Sequence, residues 1–301
     1  MSFIKERRLY NSLTPDQKRI IEEKQIEGDY TPGEWLALLR QLAEYDRYGD
    51  SVRKVISRTG KISIVAIIVT LFIGIVFETF FLFFIALIIG AAALVFYLLK
   101  KRSDLPNKLR RFAVPLISIL REEMEPAEPL YLRMDFRSGT IKEKETAYLG
   151  PDETKARYRR PANVLKVKET HYTNAWMEGR ARLTGGSILE WQIVDNTRQR
   201  NITKRGSSGK TKFKTKYKVK TLIDARLQLP REDYALLPGG AGLVRGEKVA
   251  TRSGEKRNLI RVRRAIISST VDPEPDLRRF LDLVAGAFRR VTLTETGEKQ
   301  L

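Results

Sequence analysis

The chain of 301 residues contains no cysteine and one histidine, His171. Disulfides, thiolate zinc sites and thiol nucleophiles are thereby excluded, and a lone imidazole does not make a multi-histidine metal centre. A phosphate-binding loop is missing too. The nearest approach, Gly206-Ser207-Ser208-Gly209-Lys210-Thr211, has two residues between its glycines where such a loop has four. A strand pattern also follows it where a helix should begin, so it reads as a basic hairpin tip. With no nucleophile, metal cluster or cofactor loop standing out, the expectation is a non-enzymatic chain without a cofactor.

Charge is the next thing missing. From Ile62 to Leu99 there is no Lys or Arg, and Glu78 is the one acid. A single helix over these 38 residues would run about 57 Å against a hydrocarbon thickness of about 30 Å. It would also hold Glu78 near the midplane at a cost of roughly 2.5 to 3.5 kcal/mol. Two shorter spans avoid both problems: Ile62 to Phe77 goes in, Glu78 and Thr79 turn at the far headgroups, and Phe80 to Leu99 returns, with a re-entrant hairpin as the alternative because the first arm is only about 24 Å long. Gly74 and Gly90 permit the two helices to approach closely. Arg53, Lys54, Arg58 and Lys61 precede the run and Lys100, Lys101 and Arg102 follow it. Positive residues favour the cytoplasmic side, so both termini are expected in the cytoplasm, with the protein integral to a bacterial inner membrane. The run starts too far along the chain, and is too long, for a cleavable signal.

The rest of the charge is unevenly spread. Residues 1–60 carry 11 Lys and Arg against 10 Asp and Glu, whereas residues 100–301 carry 44 against 25. That excess favours polyanionic partners: anionic membrane lipid first, with nucleic acid or an acidic protein as alternatives.

Around these features the chain divides into an N-terminal helical region (1–60), a transmembrane hairpin (61–102), an amphipathic juxtamembrane helix (103–125), a basic β domain (126–237) and a segment of loop, final strand and helix (238–301). In the first region Thr14-Pro15-Asp16-Gln17 and Thr31-Pro32-Gly33-Glu34 each place Thr at an N-cap, Pro at the first helical position and Gln or Glu at N3. Two helices should start there. The second carries Trp35, Leu38, Leu39, Leu42, Tyr45 and Val52 at helical spacing. Leu105, Leu109, Phe112, Ala113, Leu116, Ile117 and Leu120 form a further stripe, with Ser103 available as a cap and the helix bent or restarted at Pro115, which either lies in the membrane interface or packs on the following domain.

After Glu125-Pro126-Ala127-Glu128-Pro129 the period changes from 3.6 to 2. Strands are expected at Leu130 to Phe136, Val164 to Tyr172, Ala175 to Leu183, Ile188 to Asn196, Thr211 to Leu229 and Asn258 to Ser268, with Gly185-Gly186 turning a hairpin. The glycine-rich span from Leu237 to Gly254 reads as mostly loop. A closing helix opens at Asp272-Pro273. Several antiparallel strands without long intervening helices suggest a sandwich or small barrel.

The candidate binding residues are Lys210, Lys212, Lys214, Lys216, Lys218 and Lys220, which alternate with Thr211, Phe213, Thr215, Tyr217, Val219 and Thr221. Strand alternation puts all six ammonium groups on one face about 6.6 Å apart, with Phe213 and Tyr217 turned to the core. Lysines of this kind also keep exposed edge strands from pairing. Arg198, Arg200, Lys204 and Arg205 extend the basic set, and Arg159, Arg160, Arg257, Arg261, Arg263 and Arg264 repeat it elsewhere. Asp135, Asp195, Asp224 and Glu190 read as salt-bridge partners, His171 as a strand residue beside Glu169 and Thr173, and Trp176 and Trp191 as cross-strand core neighbours.

These readings describe an α+β membrane protein: a helical segment, a two-helix transmembrane hairpin and a cytoplasmic antiparallel β sandwich or small barrel with a C-terminal helix. The function they favour is a homo-oligomeric scaffold or membrane-shaping protein whose basic domain contacts anionic lipid. The alternative is a ligand-controlled effector or channel, its β domain sensing an anionic small molecule and Glu78 and Thr79 forming the pore mouth.

Overall fold

The computed structural model describes residues 2–77, 80–102, 104–159, 161–237 and 246–294. The expected turn at Glu78 and Thr79, the cap at Ser103 and Arg160 lie outside them. The chain forms two compact units: Met1–Lys24 with Ala37–Arg110, and Gln25–Leu36 with Arg111–Leu301.

In the first unit, α1 (Ser2–Ser12) precedes α2 (Pro15–Glu23). Thr14 caps α2 as expected, its Oγ1 accepting from Gln17 N at 3.3 Å while its own N donates to Gln17 Oε1 at 2.9 Å. Thr31 and Glu34 repeat the exchange at 2.8 and 3.3 Å, starting α3 (Pro32–Phe77). The helix then continues for 46 residues, about 69 Å, from a polar start into the apolar run. A second long helix, α4 (Phe81–Arg102), spans 22 residues, about 33 Å. Both are long and apolar enough to cross a membrane, and only 11% and 6% of their most apolar windows are buried. Within this chain they are therefore not buried core helices, whose apolar side chains face inward. Contact between the two runs through small residues: a Cβ on Gly90 would lie 3.4 Å from Ser63 Cβ and from Ile67 Cδ1, so the missing side chain is what admits α3.

The second unit is built on an eight-stranded antiparallel sheet. Its strands are β1 (Gln25–Tyr30), β2 (Leu130–Asp135), β3 (Glu145–Leu149), β4 (Val164–Arg182), β5 (Ile188–Arg205), β6 (Thr211–Pro230), β8 (Glu247–Ser253) and β9 (Arg257–Ser268). The order is β1-β2-β4-β5-β6-β9-β8, with β3 beside the first half of β4. A small second sheet pairs β7 (Tyr234–Leu236) with β10 (Val291–Leu293). Three short helices complete the unit: α5 (Val114–Glu123), preceded by a π turn at Leu109–Ala113, then α6 (Pro151–Arg157) and α7 (Leu277–Phe288).

Several expectations change. The sheet is open, neither sandwich nor barrel, because β4, β5 and β6 run 18 to 20 residues, about 60 Å, and only part of one face is covered. Along β6 the odd residues Val219, Thr221, Ile223, Ala225, Leu227 and Leu229 are buried, while residues 211–216 are exposed on both faces. The two strands expected on either side of Thr173 are one strand, bulged between Ala175 and Met177. The glycine-rich span contains β8. Helix α7 starts four residues late, with Asp276 accepting from Arg279 N. The apolar stripe from Leu105 to Leu120 is buried, and its Phe112 meets Trp176 and Phe280 edge-on at ring distances of 5.5 and 5.6 Å. Pro115 occupies the first turn of α5, where its missing N–H costs little, which is the restart, the second of the two readings of this proline. Trp35 is buried and donates its Nε1 to Leu130 O at 2.8 Å.

Candidate functional site

Beyond the covered part of the sheet, β4, β5 and β6 continue as a three-stranded arm. A turn closed by Gly206 N donating to Lys210 O at 2.8 Å, with Gly209 at φ 75°, forms its tip. The positive φ is where glycine is needed. Residues directly opposite in an antiparallel pair share a face. Lys212 stands opposite Lys204, Lys216 opposite Arg200 and Lys218 opposite Arg198, while Lys214 faces Ile202 and Lys220 faces Asn196. The structure thus gathers Lys212 to Lys220 with Lys204, Arg200 and Arg198 on one open face. Arg205 pairs with Thr211 and falls on the other face, so it leaves the set. Phe213 is 81% exposed and is no core residue: the helix that reaches this half, α6, bonds to β4 through Thr154 and Val167 O at 2.7 Å, two strands away.

One carboxylate sits among these cations. Glu169 on β4 lies opposite Arg200 and is fully buried. Its Oε2 accepts from Arg200 Nε at 2.5 Å, and its Oε1 meets His171 Nε2 at 2.7 Å and Tyr158 Oη at 3.2 Å. Arg200 also stacks 4.3 Å from the Tyr158 ring centre. Burial pushes the Glu169 pKa up, but the Arg200 and His171 hydrogen bonds prevail and hold it below its ordinary value. His171 therefore belongs to an ion-pair network that fastens β4 to β5.

On the same face over the covered half, charge is balanced. Asp224 accepts from Arg261 Nε at 2.9 Å and Arg263 Nε at 2.7 Å, Arg180 lies 3.7 Å from Glu190, and Gln192 donates to Glu178 at 2.6 Å. Arg264 pairs with Glu247 on the opposite face, and Arg257 donates to Gly186 O. Asp135 accepts from Arg137 and pairs with Lys144, which takes its pKa down to about 2 against the opposing effect of burial. The buried Asp195 accepts from Thr221 at 2.6 Å. Trp176 and Trp191 are both buried, yet Trp191 stands opposite Gly179, and the two indoles are linked through Phe112 and Phe280.

A charged cluster in the first unit escaped the sequence reading. Asp46, Asp50 and Arg53 follow one another along one side of α3, a spacing of four and three residues that is legible in the sequence. They meet Asp104 and Arg110 beyond α4: Arg53 pairs with Asp50 and Asp104, and Arg110 lies 2.9 Å from Asp50 and 3.7 Å from Asp46. Asp46 is 3% exposed. Burial, with Asp50 and Asp104 adding to it, raises its pKa to about 7. Asp50 moves the other way, held low by the two guanidinium groups against its own burial.

Comparison with protein families, with curated proteins and with solved structures gave no match to this chain.

Proposed function

We propose that this protein is a non-enzymatic membrane scaffold. The apolar runs of α3 and α4 form a hairpin in a bacterial inner membrane, both termini are cytoplasmic, and the cationic face of the arm rests on anionic headgroups of the same leaflet. The supporting observation is two like-charged cross-strand pairs, Lys204 with Lys212 and Arg198 with Lys218, on either side of Lys216, whose partner Arg200 is already held by Glu169. Such pairs destabilise a sheet, and a local rule broken this consistently points to a bound counter-charge.

Edge protection is the competing reading, and one observation favours it. Among the described residues no strand lies beside the outer side of β6 from Thr211 to Lys218, since β9 pairs only from Val219 onward, and lysines suit such an edge. That explains the lysines of β6. It leaves Arg198 and Lys204 unexplained, because β5 is an interior strand with β4 and β6 on its two sides.

The test places the full chain in neutral nanodiscs and measures binding of anionic and neutral vesicles at low salt. Anionic vesicles should bind, binding should fall as salt rises, and replacing Lys212, Lys214, Lys216 and Lys218 by Gln should abolish it. Equal binding to both vesicle types overturns the lipid reading. A variant that aggregates while still binding lipid assigns the lysines to edge protection. Topology has its own check, made clean by the absence of native thiols. Thr79→Cys should react from outside the cytoplasm and Ser207→Cys from within, and labelling of both from one side removes the crossing hairpin.

A further inference from the structure

Among the described residues, two of the sheet's unpaired edges carry opposite charge. The strand β1 ends the sheet order and presents Gln25, Glu27 and Asp29, all exposed, on the open face. That placement follows from the register, because Glu27 stands opposite Arg133, Arg133 opposite Glu178, Glu178 opposite Gln192 and Gln192 opposite Asp224. At the other side of the sheet the outer edge of β6 presents Lys212, Lys214, Lys216 and Lys218 on that same face. We propose that the acidic edge of β1 in one copy of the chain adds to the basic edge of β6 in the next, continuing the sheet from copy to copy.

Direction and charge agree with this. The pairs β1–β2, β2–β4, β4–β5 and β5–β6 are all antiparallel, so β1 and β6 point the same way. The added pair is then parallel, and the acidic and basic rows stay on one face. Opposite charges facing each other across strands stabilise a pairing. A symmetric joining of two β6 edges would set lysine against lysine, so the row that blocks self-pairing also selects the acidic edge. Apolar exposure supports the match: Phe213 and Tyr30, 81% and 44% exposed, both belong to the reverse face and lie on the edges that meet. An interface made from two different edges is head-to-tail and extends into rows. A short contact of this kind gains from confinement of the copies in one plane, which raises their effective concentration. The two readings share the lysine side chains, but strand addition also uses backbone groups in the plane of the sheet, so it is tested apart from lipid binding.

The experiment uses the full chain in proteoliposomes. Asp29→Cys and Lys214→Cys are prepared as separate proteins and treated with a short bis-maleimide, alone and mixed. Cross-linked dimers should form in the mixture and not with either variant alone, and the double variant in one chain should give a ladder. No cross-link in the mixture, or equal cross-linking of each variant with itself, overturns the proposal. Glu27→Lys added to the Asp29→Cys protein should abolish its cross-link with Lys214→Cys while anionic vesicles still bind, which separates failure here from failure of the lipid reading. Binding of a synthetic acidic strand peptide to the β6 edge, without any copy-to-copy cross-link, would assign that edge to another protein and likewise overturn it.

Discussion

Lys218 stands directly opposite Arg198 across β5 and β6, with no carboxylate placed between them by the register. Each like-charged pair of this kind costs a few tenths to about 1 kcal/mol at low ionic strength, and salt relieves it. Lys218→Thr should therefore raise resistance to chemical denaturation at low salt and lose that advantage at high salt. An unchanged or lower midpoint at low salt would show that the arm carries this charge without strain.

Gly179 is required by the ring of Trp191. A Cβ at position 179 would lie 2.2 Å from Trp191 Cζ2 and 2.5 Å from Cε2, and the ring is backed by Phe280 at 6.1 Å. Since a buried indole has little room to withdraw, Gly179→Ala should cost about 1 to 3 kcal/mol. Tryptophan emission should shift with it. A variant of native stability and native emission would place slack in this core that the contacts do not reveal.

The helical parts of the fold were legible because their signals are local. Thr14, Pro15 and Gln17 satisfy one another within a single turn, as do Thr31 and Glu34. Alternation likewise placed Lys212 to Lys220 on one face. What sequence leaves open is set by long-range pairing. Whether the strands close into a barrel depends on which face helices cover, and Phe213 is exposed because none reaches it. The short β1 contains Gly28 and Asp29, poor strand formers, and is held by β2 more than 100 residues away. The partners of the lysine row, Arg198, Arg200 and Lys204, emerge only from register, and the same register removes Arg205. Asn174 and the bulge after Ala175 disguised one long strand as two.

Glu169 sets stability against binding. Glu169→Gln should weaken the arm by an amount on the order of 3 kcal/mol, as expected when one partner of a buried ion pair is removed. The same change deletes the carboxylate lying among the arm's cations and should tighten binding to anionic vesicles. Because the folded pKa of Glu169 lies below its unfolded value, its contribution is present above the unfolded value and lost as pH falls through the folded one. Urea titrations near neutrality and in acid, on both proteins, check this. Parallel losses of stability and binding would remove the proposed opposition between them.

Asp46 carries the opposite sign and lies before the apolar run of α3. Its pKa is raised from 3.8 to about 7 by burial and by the neighbouring Asp50 and Asp104, against the pull of Arg110 and Arg53. A raised folded pKa means that the folded state holds the proton more tightly than the unfolded chain. The resulting stability is complete below the unfolded value, declines as pH rises, and is gone once pH has passed about 7. A shift of this size corresponds to an effect on the order of 4 kcal/mol. The first unit should accordingly unfold more easily at about pH 8 than at about pH 5. Asp46→Asn keeps the shape and cannot ionise, so it should flatten that dependence and raise the thermal midpoint at the higher pH. Hydrogen exchange around Asp46 and Arg110 localises the effect. Should the variant keep the full pH dependence of the native chain, the titrating group lies elsewhere.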